Sequence, residues 1–401
     1  MKSSKLQWIG LAVWSGIVVA GVVACGGGGD GGSAAQGSMR FALTDAPSCG
    51  YDHVWVTVEK VSVHQSSSAS DTDAGWTDLT LSPARRIDLV TLTNGVLEEL
   101  GTVPLAAGHY SQVRLVLASN TAGANPPANA VQPTGGSVVA LTTPSGQQSG
   151  LKLKANADVA GGQMADLVLD FDACSSVVQA SSSGQYLLKP VISVVPRILS
   201  GIQGVVTTTL TLSSTTISAQ QNGSVVRSTT PNASGSFSIP FLSAGTYTLV
   251  ITSDAHATGV VTSVPAGTTT TVVSTAAAPI VLPTSSMADV TGTVTASTLS
   301  GSTTVTAPVT DATLRALQSL TGGPQVEVAR QPVDATAGSY HFRLPTAAPV
   351  KGAYAGTATI TLTPDASVAG KYTIEASAPG RSILTKPADV SSSSAQVNFG
   401  Y

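Results

Sequence analysis

The chain has 401 residues, a formal net charge of −3 and only 10% charged residues. No basic stripe stands out against this sparse charge, which excludes nucleic acid as a partner. Hydrophobic residues make up 42% of the chain, too many for a disordered protein. Valine and threonine dominate over leucine and lysine, a composition that favours strands over helices.

The first segment has the pattern of an export signal. Lys2 and Lys5 precede an apolar stretch that ends at Val22-Val23-Ala24-Cys25. This ending resembles the lipobox of bacterial lipoproteins, in which a peptidase cuts before the cysteine and a lipid is added to its sulfur. A transmembrane anchor is the alternative, but glycines interrupt the stretch and no basic cluster follows it. We expect residues 1–24 to be a signal peptide and Cys25 to carry lipid, palmitate included.

A glycine-rich run follows the cysteine. It has no Lys-Ser or Lys-Thr after it and no strand before it, which excludes a phosphate-binding loop. Residues 25–38 are therefore interpreted as the lipidated cysteine and a flexible tether. Gly26, where an inner-membrane retention signal would have aspartate, favours the outer membrane. The chain would lie at its periplasmic face or on the cell surface.

Short alternating runs typical of strands occupy residues 39–197. The valines from Val54 to Val58 point one way, but after Lys60 the apolar parity slips by one residue. Such a slip predicts a β-bulge near Glu59-Lys60. Further along, Asn94-Gly95 separates two apolar runs, 87–92 and 96–100, which predicts a hairpin.

Two more units follow, residues 201–283 and 288–401, and neither shows a helical period over three turns. A short signature recurs in all three units, at Ala107-Gly108-His109-Tyr110, Ala244-Gly245-Thr246-Tyr247 and Ala369-Gly370-Lys371-Tyr372. We interpret its glycine as serving a special backbone conformation and its tyrosine as capping a turn through the hydroxyl. The predicted fold is all-β, with tandem antiparallel sandwiches.

Three carboxylates share one face of a predicted strand. Period two places Asp166, Asp170 and Asp172 opposite the core-facing residues of the run 166–172. Carboxylates are the ligands that Ca²⁺ prefers, so we regard the three as a candidate calcium site. A solvated strand face is the alternative, and no other cofactor is predicted.

Two cysteines and two tryptophans complete the candidate residues. Cys49 and Cys174 form an even pair in an exported chain, which predicts a disulfide, with two unpaired buried thiols as the alternative. Trp55 points away from the valines beside it and is a candidate for stacking on a sugar, unless a loop or neighbouring domain covers it. Trp76 is expected to pack in the core.

Residues 37–197 resemble the bacterial domain of unknown function 4382. The resemblance rests on Leu43-Thr44-Asp45-Ala46-Pro47, the run 54–63, Trp76-x-x-Leu79, Ile87-Asp88-Leu89, the segment 105–117 and Asp170-Phe171-Asp172. It implies a secreted lipoprotein and no particular activity.

The later units are similar to carboxypeptidase regulatory-like domains, which have a transthyretin-like sandwich of the carbohydrate-binding-like class. The motifs in the second unit are Ile202-Gln203-Gly204-Val205, Gly235-Ser236-Phe237-Ser238-Ile239 and the segment 242–251. The third unit has a looser version, interrupted by an insertion at 345–364. The resemblance implies spacers or binding appendages.

No catalytic constellation stands out, because the histidines are scattered and no serine lies in a nucleophile elbow. The leading hypothesis is a non-catalytic binding or adhesion module anchored in the cell envelope, with glycans or envelope proteins as ligands. A structural scaffold that assembles by edge-strand pairing with envelope proteins is the alternative. An enzyme is the third and least favoured.

Overall fold

Alternating apolar residues form paired strands along nearly the whole described chain. The computed structural model describes residues 36–46, 50–143, 150–180, 184–198, 200–300, 303–356 and 359–401. Strands make up 59% of the structure and helices 4%. This composition confirms the predicted all-β class. The described part contains no helix long and apolar enough to cross a membrane. Cys25 and Cys49 lie outside the described residues.

The first sandwich is built from two sheets. Its strands are β1 (Gln36–Ala46), β2 (Tyr51–His64), β3 (Thr77–Asp88), β4 (Glu98–Ala106), β5 (Gly108–Leu117), β6 (Ala130–Pro133), β7 (Val139–Thr142), β8 (Leu151–Val159), β9 (Met164–Asp172), β10 (Val177–Ala180), β11 (Gln185–Leu188) and β12 (Ile192–Pro196). A 3₁₀ helix, Leu89–Leu92, and a one-turn helix α1, Ala173–Ser176, interrupt them. One sheet has the order β12-β9-β1-β4, and the other has the path β10-β11-β7-β6-β2-β5-β8, with β3 paired to β2.

The predicted β-bulge is confirmed in β2. The register against both β3 and β5 shifts between Val58 and Lys60. The extra residue restores the parity, so that the valines before and after it all face the core of the first sandwich. The slip in apolar parity therefore had a purely geometric cause.

The predicted hairpin at Asn94-Gly95 is wrong. Both residues have positive φ, 60° and 80°, as a tight turn requires. However, the run before them ends in the 3₁₀ helix, because Leu89 and Leu92 are both buried in the core. β4 then pairs with β1 instead of returning along β3.

Trp76 does not join the core, contrary to expectation. Its indole Nε1 donates to the Ser70 carbonyl at 2.8 Å, and the Arg114 guanidinium lies 4.6 Å from its ring centroid. The polar loop 66–75 therefore holds this ring at the surface of the first sandwich.

Two further cores lie in the rest of the chain. The remaining strands are β13 (Gly201–Val205), β14 (Thr216–Gln221), β15 (Ser224–Thr229), β16 (Ser236–Pro240), β17 (Gly245–Thr252), β18 (Gly259–Ala266), β19 (Thr270–Val272), β20 (Met287–Ser300), β21 (Thr303–Pro308), β22 (Thr313–Ser319), β23 (Gln325–Pro332), β24 (Ser339–Pro345), β25 (Val350–Ala353), β26 (Thr363–Pro364), β27 (Lys371–Ser377), β28 (Leu384–Asp389), β29 (Ala395–Gln396) and β30 (Phe399–Gly400). Short 3₁₀ helices lie at Leu212–Ser214 and Ala366–Val368. Strands β13 to β19 enclose the second core, and most of the strands from β20 onward enclose the third.

The second and third sandwiches share structure. Sheets of the second have the orders β16-β13-β19 and β15-β14-β17-β18-β25-β26, so the insertion after β24 extends its larger sheet. β25 pairs in parallel with β18, from Gly259 opposite Val350 onward. A small apolar cluster, Val250, Val260, Leu320 and Val326, also joins the two sandwiches. The whole described chain forms one compact unit.

The recurring tyrosines serve two kinds of contact. Tyr110 and Tyr247 each donate a hydrogen bond to the carbonyl four residues earlier, at 3.0 and 2.9 Å, which is the turn cap expected from the sequence. Tyr372 instead donates to the distant Pro345 carbonyl at 2.6 Å. Of the signature glycines, Gly370 has a left-handed φ of 64° but Gly245 does not. The special backbone conformation predicted for this glycine is therefore not common to all three copies of the signature.

Candidate functional site

A cleft of about 510 Å³ lies where the three sandwiches meet. We call it the junction cleft. The first sandwich lines it with the end of β9, α1 and residues 191–193, and the second with residues 225–228 and 252–254. The third contributes residues 327–330 and 343–345. Its size is typical of small-ligand pockets.

Free sheet edges surround the junction cleft. β12, β15 and β23 all supply lining residues, and each is the terminal strand of its sheet in the described chain. A terminal strand presents backbone N–H and C=O groups that its sheet leaves without a ladder partner. The three edges therefore converge on one space.

A buried ion pair between the first two sandwiches lies at the cleft. Nη1 of Arg227, on β15, lies 3.1 Å from Oδ2 of Asp170, on β9, and the two side chains are only 5% and 9% exposed. Beside this contact, Asp170 Oδ1 and Arg227 Nε are buried and have no hydrogen-bond partner within the described part. Burial raises the pKa of Asp170 to about 6, although the Arg227 charge opposes this rise.

Further charges at the cleft are paired within the chain. Arg343 donates to Asp254 at 2.7 Å, and Arg330 donates to Glu327 at 3.0 Å. Glu327 also accepts from Arg315 at 2.5 Å. The cleft is therefore rich in charged groups but close to balanced in net charge.

A side-chain amide caps the edge of β23 beside the cleft. Oε1 of Gln220 accepts from the Glu327 backbone N–H at 2.8 Å, and its Nε2 donates to the Glu327 carbonyl at 2.7 Å. This reciprocal pair has the donor and acceptor pattern of a β-ladder. Gln220 thus occupies one position of the β23 edge as a neighbouring peptide group would.

The three carboxylates of the predicted calcium site have separate partners. Asp166 is bound by the Arg40 guanidinium, whose Nε donates at 3.1 Å, and Asp170 is paired with Arg227. Asp172 caps α1 by accepting from Ser175 N–H at 2.9 Å and Oγ at 2.8 Å. No group of three or more His, Cys, Asp or Glu side chains in the described chain is placed to hold a metal ion.

Trp55 lies half-buried on β2, and its ring contacts two protein side chains. The His53 ring stacks on it, with centroids 4.7 Å apart, and the Arg86 guanidinium lies 4.4 Å from its centroid. His53 is fixed in turn by Asp88 at 2.5 Å. Trp55 does not line the junction cleft, and its stacking on a sugar stays a prediction.

Of the two cysteines in the predicted disulfide, Cys49 lies outside the described residues. Cys174 lies in α1 and lines the junction cleft. The Cys49–Cys174 bridge and the Cys25 lipid stay predictions.

The sequence contains a signal for Arg227 that pattern reasoning did not use. Arg227 and Asp254 are the only charged residues in 201–283, and both line the junction cleft. A charge in so apolar and hydroxyl-rich a unit is costly to bury and needs a partner. Their scarcity could have singled them out before the fold was known.

Comparison with known proteins identifies one domain. Residues 36–190 match the family described as "Domain of unknown function (DUF4382)", which confirms the resemblance predicted for the first unit. No curated protein matches the chain. A solved structure, "The Bacillus anthracis TIE protein", aligns with 14% identity over 92% of this chain and 50% of that chain, with a TM-score of 0.18. The chain thus spans about half of that protein, and so low a TM-score carries no inference.

Proposed function

We propose that this protein is a lipid-anchored, non-catalytic binding module of the cell envelope, and that the junction cleft is its ligand site. One observation carries the proposal: the second sandwich segment, 201–283, has two charged residues, and both line the cleft. Residues from all three sandwiches surround it. A site assembled in this way holds its ligand on a rigid frame rather than on loops.

Two ligand classes follow from the sequence, glycans and envelope proteins. Sugar sites depend on aromatic rings that stack on the pyranose face. In the described part, no aromatic side chain lines the junction cleft, whereas serines, threonines and valines are frequent. This lining favours a protein segment over a glycan.

The anchor is the second part of the proposal. Lipid on Cys25 would tie the three sandwiches to the membrane through the glycine-rich tether, at the outer membrane. A Cys25→Ala chain should stay uncleaved and take up no labelled palmitate in growing cells. Normal labelling of that variant would overturn the anchor and leave the cleft proposal intact.

The proposed ligand site can be tested by filling the junction cleft with a larger side chain. The detergent-solubilised full chain is applied to a glycan array and to a library of short peptides. Val226→Trp, at an exposed lining position, should abolish binding of the wild-type ligands. Val272→Trp, at a similarly exposed position away from the cleft, should not. Binding that survives Val226→Trp, or no ligand in either collection, would refute the proposal.

A further inference from the structure

We propose that the ligand of the junction cleft is an extended, uncharged peptide segment that adds as a strand to the free edge of β15. This inference rests on the proposed function, since it names the ligand class of the same site. Strand addition takes its affinity from main-chain hydrogen bonds and its selectivity from the side chains nearby.

The edge of β15 is open to such an addition. β15 pairs with β14 and with no other described strand, and its residues 225–228 line the cleft. Val226 is 42% exposed. It is also the extra residue of a bulge, because Val225 pairs with Gln220 and Arg227 with Ala219. Val226 is therefore an exposed residue of this edge strand, at the point where its pairing with β14 is irregular.

On β23, a side-chain amide already forms hydrogen bonds with the backbone of a free sheet edge at the cleft. Gln220 exchanges two hydrogen bonds with the backbone of Glu327 on β23, at 2.8 and 2.7 Å. A peptide group has the same donor and acceptor. A bound strand would repeat on β15 the contact that Gln220 makes on β23.

Polar groups beside β15 also lack partners. Arg227 Nε and Asp170 Oδ1, which lie outside the ion-pair contact, have no hydrogen bond in the described part, and both side chains are more than nine-tenths buried. This set contains one donor and one acceptor. A peptide group, which offers one carbonyl and one N–H, is complementary to it.

Charge and shape favour a neutral ligand with small side chains. Each acidic lining residue has at least one partner in the chain, as Asp170 has Arg227 and Asp254 has Arg343. Val191 and Val226, which line the cleft, are 44% and 42% exposed. A charged ligand side chain would compete with these pairs, whereas small apolar or hydroxyl side chains would pack against the valines. A volume of about 510 Å³ holds a few residues of extended chain.

Proline at the bulge tests the edge directly. Val226→Pro removes the backbone N–H of this edge-strand residue, and proline is tolerated on edge strands. Peptides selected from the library should bind Val226→Pro at least tenfold more weakly than wild type. Val226→Ala, which keeps the N–H but loses part of the apolar surface that the ligand packs against, should weaken binding clearly less than Val226→Pro does. On the wild-type chain, bound peptide should slow hydrogen exchange at the amides of 224–229, a readout that needs no variant.

The outcomes separate this inference from the proposed function. Peptide binding without protection of 224–229, or binding unchanged in a folded Val226→Pro chain, would overturn strand addition and leave the cleft as a ligand site. Glycan binding without peptide binding would also overturn strand addition and leave the cleft as a ligand site. No binding by either class would overturn both.

Discussion

Asp170 of the first sandwich and Arg227 of the second form an ion pair at 3.1 Å in which both side chains are nearly inaccessible to solvent. Breaking such a pair from one side leaves an isolated buried charge, whereas replacing both partners with apolar groups is often neutral. The pair therefore makes the contact between the two sandwiches specific more than it makes it strong.

The first prediction concerns this pair. Arg227→Met should lower the free energy of unfolding by about 3–5 kcal/mol, because Asp170 is left buried without its partner. Arg227→Met combined with Asp170→Leu should recover most of the loss. Arg343→Met, which removes the exposed pair with Asp254, should cost about 1 kcal/mol or less. Urea titrations measure all three, and equal losses for Arg227→Met and Arg343→Met would contradict the assignment.

The second prediction compares two tyrosine hydroxyls. Tyr372→Phe leaves the Pro345 carbonyl without its donor in a buried position, which should cost roughly 1–3 kcal/mol. Tyr110→Phe affects a partly buried bond to Ala106 and should cost about 0.5–1.5 kcal/mol. Thermal unfolding of both variants should rank them in this order. The reverse order would mean that Tyr372 contributes through its ring alone.

Much of the fold follows from local sequence, because strand faces are set by parity. The bulge after Val58 could be predicted from a single slip in apolar spacing. Local sequence was not enough to predict the chain path at Asn94-Gly95. The turn has the expected φ values, but burial of Leu89 and Leu92 directs the chain away from a hairpin. Tertiary packing there outweighs turn propensity.

The candidate site could not be predicted from strand patterns. It depends on three edges, β12, β15 and β23, that are distant in sequence and meet only when the sandwiches pack. The calcium hypothesis grouped Asp166, Asp170 and Asp172 by strand parity, but parity does not reveal cross-domain partners. Asp170 faces Arg227 from another sandwich, and only the rarity of charge in 201–283 hinted at such a role.

The third prediction concerns the joint between the second and third sandwiches. Gln220→Met keeps the side-chain length but leaves the buried N–H and C=O of Glu327 unpaired. Each unpaired group should cost roughly 1–3 kcal/mol. Hydrogen exchange at the Glu327 amide should become faster than in wild type. Gln221→Met, at a partly exposed position whose amide donates to Thr246 at 3.2 Å, serves as the control and should leave that exchange rate unchanged.

The fourth prediction is a pH dependence centred on Asp365. This nearly buried carboxylate accepts hydrogen bonds from Lys351 Nζ at 2.8 Å, from Thr321 N–H at 2.8 Å and Oγ1 at 2.9 Å, and from Ser367 Oγ at 2.9 Å. The Lys351 contact, more than any other, holds the pKa of Asp365 well below its ordinary value of 3.8. The unfolded chain therefore binds a proton at this position at a higher pH than the folded chain does.

A carboxyl whose pKa is lower in the folded state stabilises the fold fully above the unfolded pKa and loses that contribution as pH falls towards the folded pKa. The difference in unfolding free energy between wild type and Asp365→Asn should therefore be largest near neutral pH and shrink steadily below about pH 4. Thr321→Val removes one of the hydrogen bonds and should show a smaller change in the same direction. Urea midpoints at pH 7 and pH 2.5 measure this difference. A wild-type advantage that stays constant over that range would show that the Lys351–Asp365 contact does not hold the carboxylate in its charged form.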